Sequence, residues 1–164
     1  MENVSAFGTS INILATRSFP IGFQVKKLAD DKDPLVIEEI EPTGHEFLVD
    51  GSLFIFDKAT AIKVKISVVA GSDDDLNLKV MLQARKGTPS ILNLPDITTM
   101  TILYGNNGSV MFTSGSIVSG PLGDSINQSG RYPSNTYTFV FSDFAGAQSV
   151  SEVINTAIQA ITGL

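Results

Sequence analysis

Asp73, Asp74 and Asp75 stand in succession, and carboxylates at that density raise the question of a divalent cation. A calcium loop needs spaced oxygen ligands, a central glycine and a closing glutamate. The run GSDDDLNLKVMLQARKG offers none of these. Three aspartates in a first helical turn are better explained as complement to the helix dipole, with a negative docking patch as the second reading. Glu38, Glu39 and Glu41 fall on one short strand whose faces alternate, which makes a solvated edge and not an acid–base pair. His45 is the only histidine and sits beside Gly44 in an expected turn, so no site of several histidines can form. No G-x-S-x-G elbow or glycine-rich phosphate loop accompanies it. Lys26, Lys27, Lys63 and Lys65 are too sparse for a nucleic-acid footprint, and no aromatic platform is interleaved with them. The chain therefore reads as a non-enzyme without cofactor or metal.

The totals turn attention from chemistry to surface. A chain of 164 residues is expected to form one domain over residues 1–164 with a core of its own. Charged residues make up 17 %, below the usual quarter, and hydrophobic residues 43 %, so there is more surface to hide than one core uses. That balance points to assembly. The net charge of −6 argues against a protein built to grip nucleic acid and fits one that must not grip it. Cysteine is absent, which excludes disulfides and thiolate sites and fits a reducing compartment. MENVSAFGTS lacks a secretory pattern, and no apolar run reaches the ~18–20 residues that span a bilayer.

The elements follow from hydrophobic periods. Residues 8–27 read as two strands around a turn at 18–22, residues 29–34 as an exposed turn, and 35–41 as a strand followed by PTGHE as a turn. In FLVDGSLFIFD, Asp50-Gly51 marks a hairpin or bulge. TAIKVKISVVA is a strand with Ile62, Val64, Ile66 and Val68 on one face. The period then changes: Ser72 is a candidate N-cap, Arg85, Lys86 and Gly87 are C-terminal signals, and a helix is predicted over 73–86 with Leu76, Val80 and Ala84 inward. ITTMTILYGNNGSVMFTSGSI reads as strand, Asn107-Gly108 turn, strand. Residues 119–135 form a long loop without period. In NTYTFVFSDF, Tyr137, Phe139 and Phe141 face a core, while Thr136, Thr138, Val140 and Ser142 present a small, uncharged face. Val150, Val153, Ile154, Ala157, Ile158 and Ile161 then predict an amphipathic helix over 147–161. Seven or eight strands and two helices make a mainly β α+β domain, a sandwich or barrel with a helix against it.

This order of elements resembles the tail tube proteins of contractile-tailed bacteriophages, and the fold of the type VI secretion tube. The resemblance rests on the strand KVKISVVAGS, the helix DDDLNLKVMLQARK, the hairpin TMTILYGNNGSVMFTSGSI, and the loop with Gly130-Arg131 leading into TYTFVF, over about residues 8–144. It implies a virion structural protein, assembled in the host cytoplasm, whose hexameric rings stack into a hollow conduit for genome ejection. It also implies a ring-shaped β-barrel, a sheath protein outside, a tape measure protein in the lumen, and DNA passing without specific binding. Thr136, Thr138 and Ser142 then become candidates for the lumen or a subunit interface. Asp73–Asp75 become a sheath-facing turn, and Asp30, Asp31, Lys32, Asp33, Asp124, Asn127 and Arg131 contacts between rings. A helix at 147–161 is long for a minimal tube protein, which keeps a ring-forming tail terminator or baseplate tube initiator as alternatives. A monomeric β-sandwich binding module is the alternative from another class.

Overall fold

The computed structural model describes residues 8–85, 96–105 and 108–145. The helix expected over 147–161 lies outside the described residues, as does Asn107 of the expected turn. In chain order the elements are β1 (Ser10–Ala15), β2 (Phe19–Val25), β3 (Leu35–Ile37), β4 (Thr43–Phe47), β5 (Leu53–Asp57), β6 (Ile62–Val68), α1 (Asp73–Arg85), β7 (Thr98–Leu103), β8 (Ser109–Ser119) and β9 (Asn135–Ala145). Seven strands pair in the order β2-β1-β7-β8-β9-β6-β3 and curl into a half-barrel, while β4 and β5 form a separate hairpin. The mainly β, α+β class expected from the sequence is what the chain adopts.

Period-two alternation sorts the large sheet into two faces. Ile11, Ile13, Ile62, Val64, Ile66, Met100, Ile102, Tyr137, Phe139 and Phe141 are buried on one of them. Phe112, Phe141 and Phe139 stack in that order, with successive centroids 5.4 and 6.1 Å apart. Helix α1 closes this core face with Leu78 and Met81, both buried. The helix sits rotated from the sequence expectation: Leu76 and Val80 are exposed, and the inward positions are Asp74, Asp75, Leu78 and Met81. The cause is polar. The Asp75 carboxylate has buried donors to meet, so the face that carries it turns inward although it is less apolar.

Three other expectations change. PTGHE is a strand and not a turn, because Gly44 and His45 pair with Phe56 and Ile55 across the β4–β5 ladder. His45 is thus an exposed strand residue. Gly22, expected in a turn, lies inside β2 at φ 84°, where it marks an irregularity on an edge strand. The strand at 35–41 contracts to the three residues of β3.

β8 carries an irregularity between Phe112 and Gly115, where its register with β7 shifts. Ser114 takes φ 56°, and Gly115 next to it packs so closely under β9 that an added Cβ would lie 2.2 Å from Phe141 Cδ1 and 2.4 Å from the Val140 carbonyl oxygen. Gly115→Ala must push a backbone as well as a ring, and is expected to cost about 2 kcal/mol of unfolding free energy, read by urea denaturation. Ala at Gly123, where nothing lies within 4 Å of the added atom, is the silent control.

Candidate assembly surfaces

Helix α1 begins on a cap that the sequence announces: Ser72 Oγ accepts the Asp75 N–H at 3.2 Å. The two following aspartates do different work. Asp74 Oδ2 accepts the backbone N–H groups of Lys26 and Lys27, each at 2.7 Å, and staples the exit of β2 to the helix. Asp75, fully buried, accepts from the Tyr137 hydroxyl at 2.6 Å, Asn135 Nδ2 at 2.9 Å, the Gly71 N–H at 3.0 Å and Lys79 Nζ at 2.9 Å. Only Asp73 of the three is exposed. The outward face of the helix is therefore Asp73 with Leu76 and Val80, one acid beside an apolar pair, and no triple-acid patch.

The predicted inter-ring loops meet each other. Arg131 pairs with Asp30, Lys32 Nζ donates to the Ser134 carbonyl at 2.7 Å, and the Ser134 N–H donates to Asp31 at 3.3 Å. Asn127 Oδ1 accepts the Arg131 N–H at 3.0 Å and caps a turn completed by Gly130 at φ 83°. Asp124 bridges Lys79 Nζ at 2.6 Å and Asn135 Nδ2 at 2.8 Å, which ties the loop to α1. Asp33 is exposed at the tip. Residues 29–34 and 119–134 thus form one built surface at the helix end of the sheet, with Ile126 and Tyr132 exposed on it.

Charge at this cluster sets a pH window. Burial pushes the Asp75 carboxyl up, but its donors outweigh that and hold it below the ordinary value; Lys79 lowers Asp124 in the same way. Burial lowers the Lys79 ammonium, and its two carboxylates more than restore it; burial and then the Asp75 carboxylate push the Tyr137 phenol well up. Lowered carboxylates stabilise above their unfolded value of about 4 and lose that contribution as pH falls through the folded one. Raised Lys79 and Tyr137 stabilise fully below about 10 and lose it as pH rises further. Unfolding free energy is expected to be flat between about pH 5 and 9 and to fall on both sides. Tyr137→Phe should remove the phenol's share of the alkaline fall and, because that hydroxyl is the leading donor to Asp75, make the acid fall smaller as well, measured by denaturation across pH.

The opposite face of the large sheet is covered by no described element. Thr136, Thr138 and Val140 are half-buried among their cross-strand neighbours and Ser142 is exposed. Thr136 Oγ1 and Ser67 Oγ are hydrogen-bonded at 2.8 Å, and Thr138 stands opposite Lys65, itself paired with Glu38 at 3.0 Å. Asn12, Thr101 and Gln24 carry the same polar face across β1, β7 and β2. The surface mixes these hydroxyl and amide groups with Lys63, exposed opposite Val140, and with the exposed apolar side chains of Leu14, Leu103 and Met111. The sheet ends in two edges, β2 and β3, with no further strand paired to them among the described residues.

The β4–β5 hairpin escaped the sequence reading as a surface. Its contacts are mainly within itself. Phe47 is 74 % exposed, Ile55 62 % and Leu53 52 % on one face, with Phe54 and Phe56 on the other. Asp50 accepts from the Ser52 N–H and hydroxyl at 2.9 and 2.6 Å, and Gly51 takes φ 86°, so the tip is well made while the flanks stay bare. The missed signal was the absence of alternation in LFIF: apolar residues on both faces of a two-stranded ribbon need cover from elsewhere.

A family model described as tail fiber protein gp32 matches residues 2–145. No curated protein matches the chain. Among solved structures, a chain in the sheath/tube terminator of the PVC extracellular contractile injection system, in its extended state, is similar with a TM-score of 0.53 at 11 % identity, covering 88 % of this chain and 96 % of that one. A chain in the six-fold symmetrised baseplate of the anti-feeding prophage (AFP) is similar with a TM-score of 0.54 at 14 % identity, covering 88 % and 95 %. At these identities the likeness is one of fold.

Proposed function

The chain belongs to the tail fiber protein gp32 family, and we propose that within a phage tail it is a structural subunit of the tube, in rings of six that stack into a hollow conduit. Family and fold agree on a phage-tail-like, tail-associated structural protein. The step from tail protein to tube subunit is supported by one observation: a half-barrel bounded by two open edges, whose uncovered face carries hydroxyl, amide and apolar side chains with few charges, Lys63 and the Lys65–Glu38 pair among them. Six such half-barrels joined edge to edge close a cylinder, and the wall of Thr136, Thr138 and Ser142 lines it. Such a lining suits passage of DNA, since each phosphate-binding cation would hold the strand by counterion release. The net charge of −6 works in the same direction. Pro20 and the Gly22 irregularity blunt β2 against indiscriminate pairing, leaving the apolar hairpin to select the partner.

The outward helix face of Asp73, Leu76 and Val80 meets the sheath, and the joined loops around Asp30, Asp31, Lys32, Asp33, Asp124, Asn127 and Arg131 meet the next ring. A tape measure protein occupies the lumen before ejection, and the protein resides in the virion tail after assembly in the host cytoplasm. The role is structural and not enzymatic: the polar clusters described above bond the scaffold to itself. A second ring-forming reading, tail terminator or baseplate tube initiator, is favoured by the assemblies in which the similar chains occur, one a sheath/tube terminator and one a baseplate.

Negative-stain microscopy with sizing chromatography tests the proposal. Stacked six-fold tubes are expected for a tube subunit. Single rings that never stack would favour terminator or initiator, and a stable monomer at high concentration in every salt would end both readings in favour of a binding module.

A further inference from the structure

We propose that the β4–β5 hairpin of one copy seats its Phe54–Phe56 face on the loop surface of a copy in the next ring, against Ile126 and Tyr132. The proposal rests on the tube reading and names the contact by which rings stack. It starts from area. Residues 47–56 hold seven bulky apolar side chains, and all seven are exposed. At roughly 100 Å² each, about half of a large side chain, they present about 700 Å². A stable interface takes ~800 Å² from each partner, and a soluble monomer rarely shows an apolar patch beyond a few hundred. The partner is a second copy, because the chain carries a matching surface at its other end.

The ribbon needs cover on two sides. Its register puts Phe47, Leu53 and Ile55 on one face and Glu46, Phe54 and Phe56 on the other, with the Phe54 and Phe56 rings stacked at 5.9 Å. A neighbour in the same ring covers the first face. The second face needs another neighbour, and the strands say where it comes from. The hairpin leaves the large sheet between Ile37 and Ile62, where β6 begins. Residues 29–34 and 119–134 sit at the far end of that strand: the Ser67 N–H donates to the Pro34 carbonyl at 2.9 Å, and Asn135 pairs with Val68. The steps of ~3.3 Å from Ile62 to Val68 add up to about 20 Å. Strands of a closed barrel tilt by ~35–45° from its axis, so opposite strand ends become opposite ends of the ring. Head-to-tail stacking then lays the hairpins of one ring against the loops of the next. Those loops show Ile126, 70 % exposed, and Tyr132, 57 %, as the apolar counterparts of the two phenylalanine rings.

Phe54→Lys tests the arm, since a lysine opposite Glu46 keeps the ribbon paired while removing the apolar face. Ile126→Ser/Tyr132→Ser tests the seat. Negative-stain microscopy with sedimentation velocity across concentration tells rings from tubes. Each variant should form six-fold rings whose half-stacking concentration lies at least about 60-fold above the parent's, because roughly twofold per arm compounds over a ring of six. Combining the two sets should shift it no further, as both remove the same contact. Phe54→Leu should stack like the parent. Variant rings that stack at the parent's concentration, effects that multiply on combination, or loss of the rings themselves would overturn this contact and leave the tube reading in place. A parent that never stacks would end the tube reading, and this contact with it.

Discussion

Asp75→Ala is expected to lower the unfolding free energy by about 3 kcal/mol, and Asp73→Lys, which only reverses an exposed charge at the helix N-terminus, by no more than about 1 kcal/mol. The two residues are two positions apart in one turn, and their sequence signature is the same. What separates them is what the side chains meet. Alanine at position 75 leaves a buried phenol, a carboxamide and a largely buried ammonium without their shared acceptor, since Tyr137, Asn135 and Lys79 all donate to that carboxylate. Each buried donor left unmet costs on the order of 1–3 kcal/mol, reduced here because Lys79 and Asn135 keep Asp124. Denaturant titration gives the size, and Asp75→Asn distinguishes its origin. A carboxamide keeps an acceptor for Tyr137 but not the charge for Lys79, so it should recover part of the loss. If Asp75→Ala proved as mild as Asp73→Lys, the network would hold nothing together.

The same contrast changes how a docking role for the acidic turn can be tested. Reversing all of Asp73, Asp74 and Asp75 would release the staple to Lys26 and Lys27 and break the buried network, so any loss of sheath attachment would follow loss of fold. Asp73→Lys with Leu76→Ser alters the outward face alone. Sheath attachment that survives this pair would remove the helix from the sheath interface.

Much of the fold was legible because burial on one face writes a period into the chain. β6 and β9 alternate cleanly, and their register follows, Ile66 opposite Tyr137 and Val64 opposite Phe139. Helix α1 carried its cap, its acidic start and its basic end. What the sequence hid was any preference decided by a distant partner. The helix turned toward Asp75 because Tyr137 and Asn135, some sixty residues on, supply the donors. PTGHE carries turn residues, yet Gly44 pairs within a strand because a Cβ there would meet the Phe56 ring at 2.5 Å, a requirement of the facing residue. The loops 29–34 and 119–134 lacked any period, and they are ordered by each other through Arg131, Asp30, Lys32 and Ser134. Local chemistry marked each of these as irregular and could not say what the irregularity was for.

The hairpin carries the largest expected effect on assembly. Leu53→Asp/Ile55→Asp should weaken association at least 100-fold while leaving the isolated chain folded. The reasoning starts from what the hairpin lacks. A two-stranded ribbon is marginal alone, and this one displays Phe47, Leu53 and Ile55 on one face with no layer upon them among the described residues. Fully burying a leucine or isoleucine contributes roughly 1.5–3 kcal/mol, and with 52 % and 62 % of these two still exposed a neighbour that covers both gains about 1.7–3.4 kcal/mol per joint, roughly 20- to 300-fold in affinity. Aspartate reverses the sign by asking that neighbour to bury a carboxylate. Because the two positions are 52 % and 62 % exposed, the core of Tyr137, Phe139 and Phe141 is untouched and the unfolding midpoint of the monomer should hold. Sedimentation velocity against concentration reads the association, and circular dichroism the fold. Rings or tubes that persist in this variant would mean that the hairpin is no joint, and the edges β2 and β3 would have to close the cylinder unaided. Loss of assembly with the fold intact would assign the joint to a surface whose only signal in the sequence is apolar residues on both sides of a ribbon.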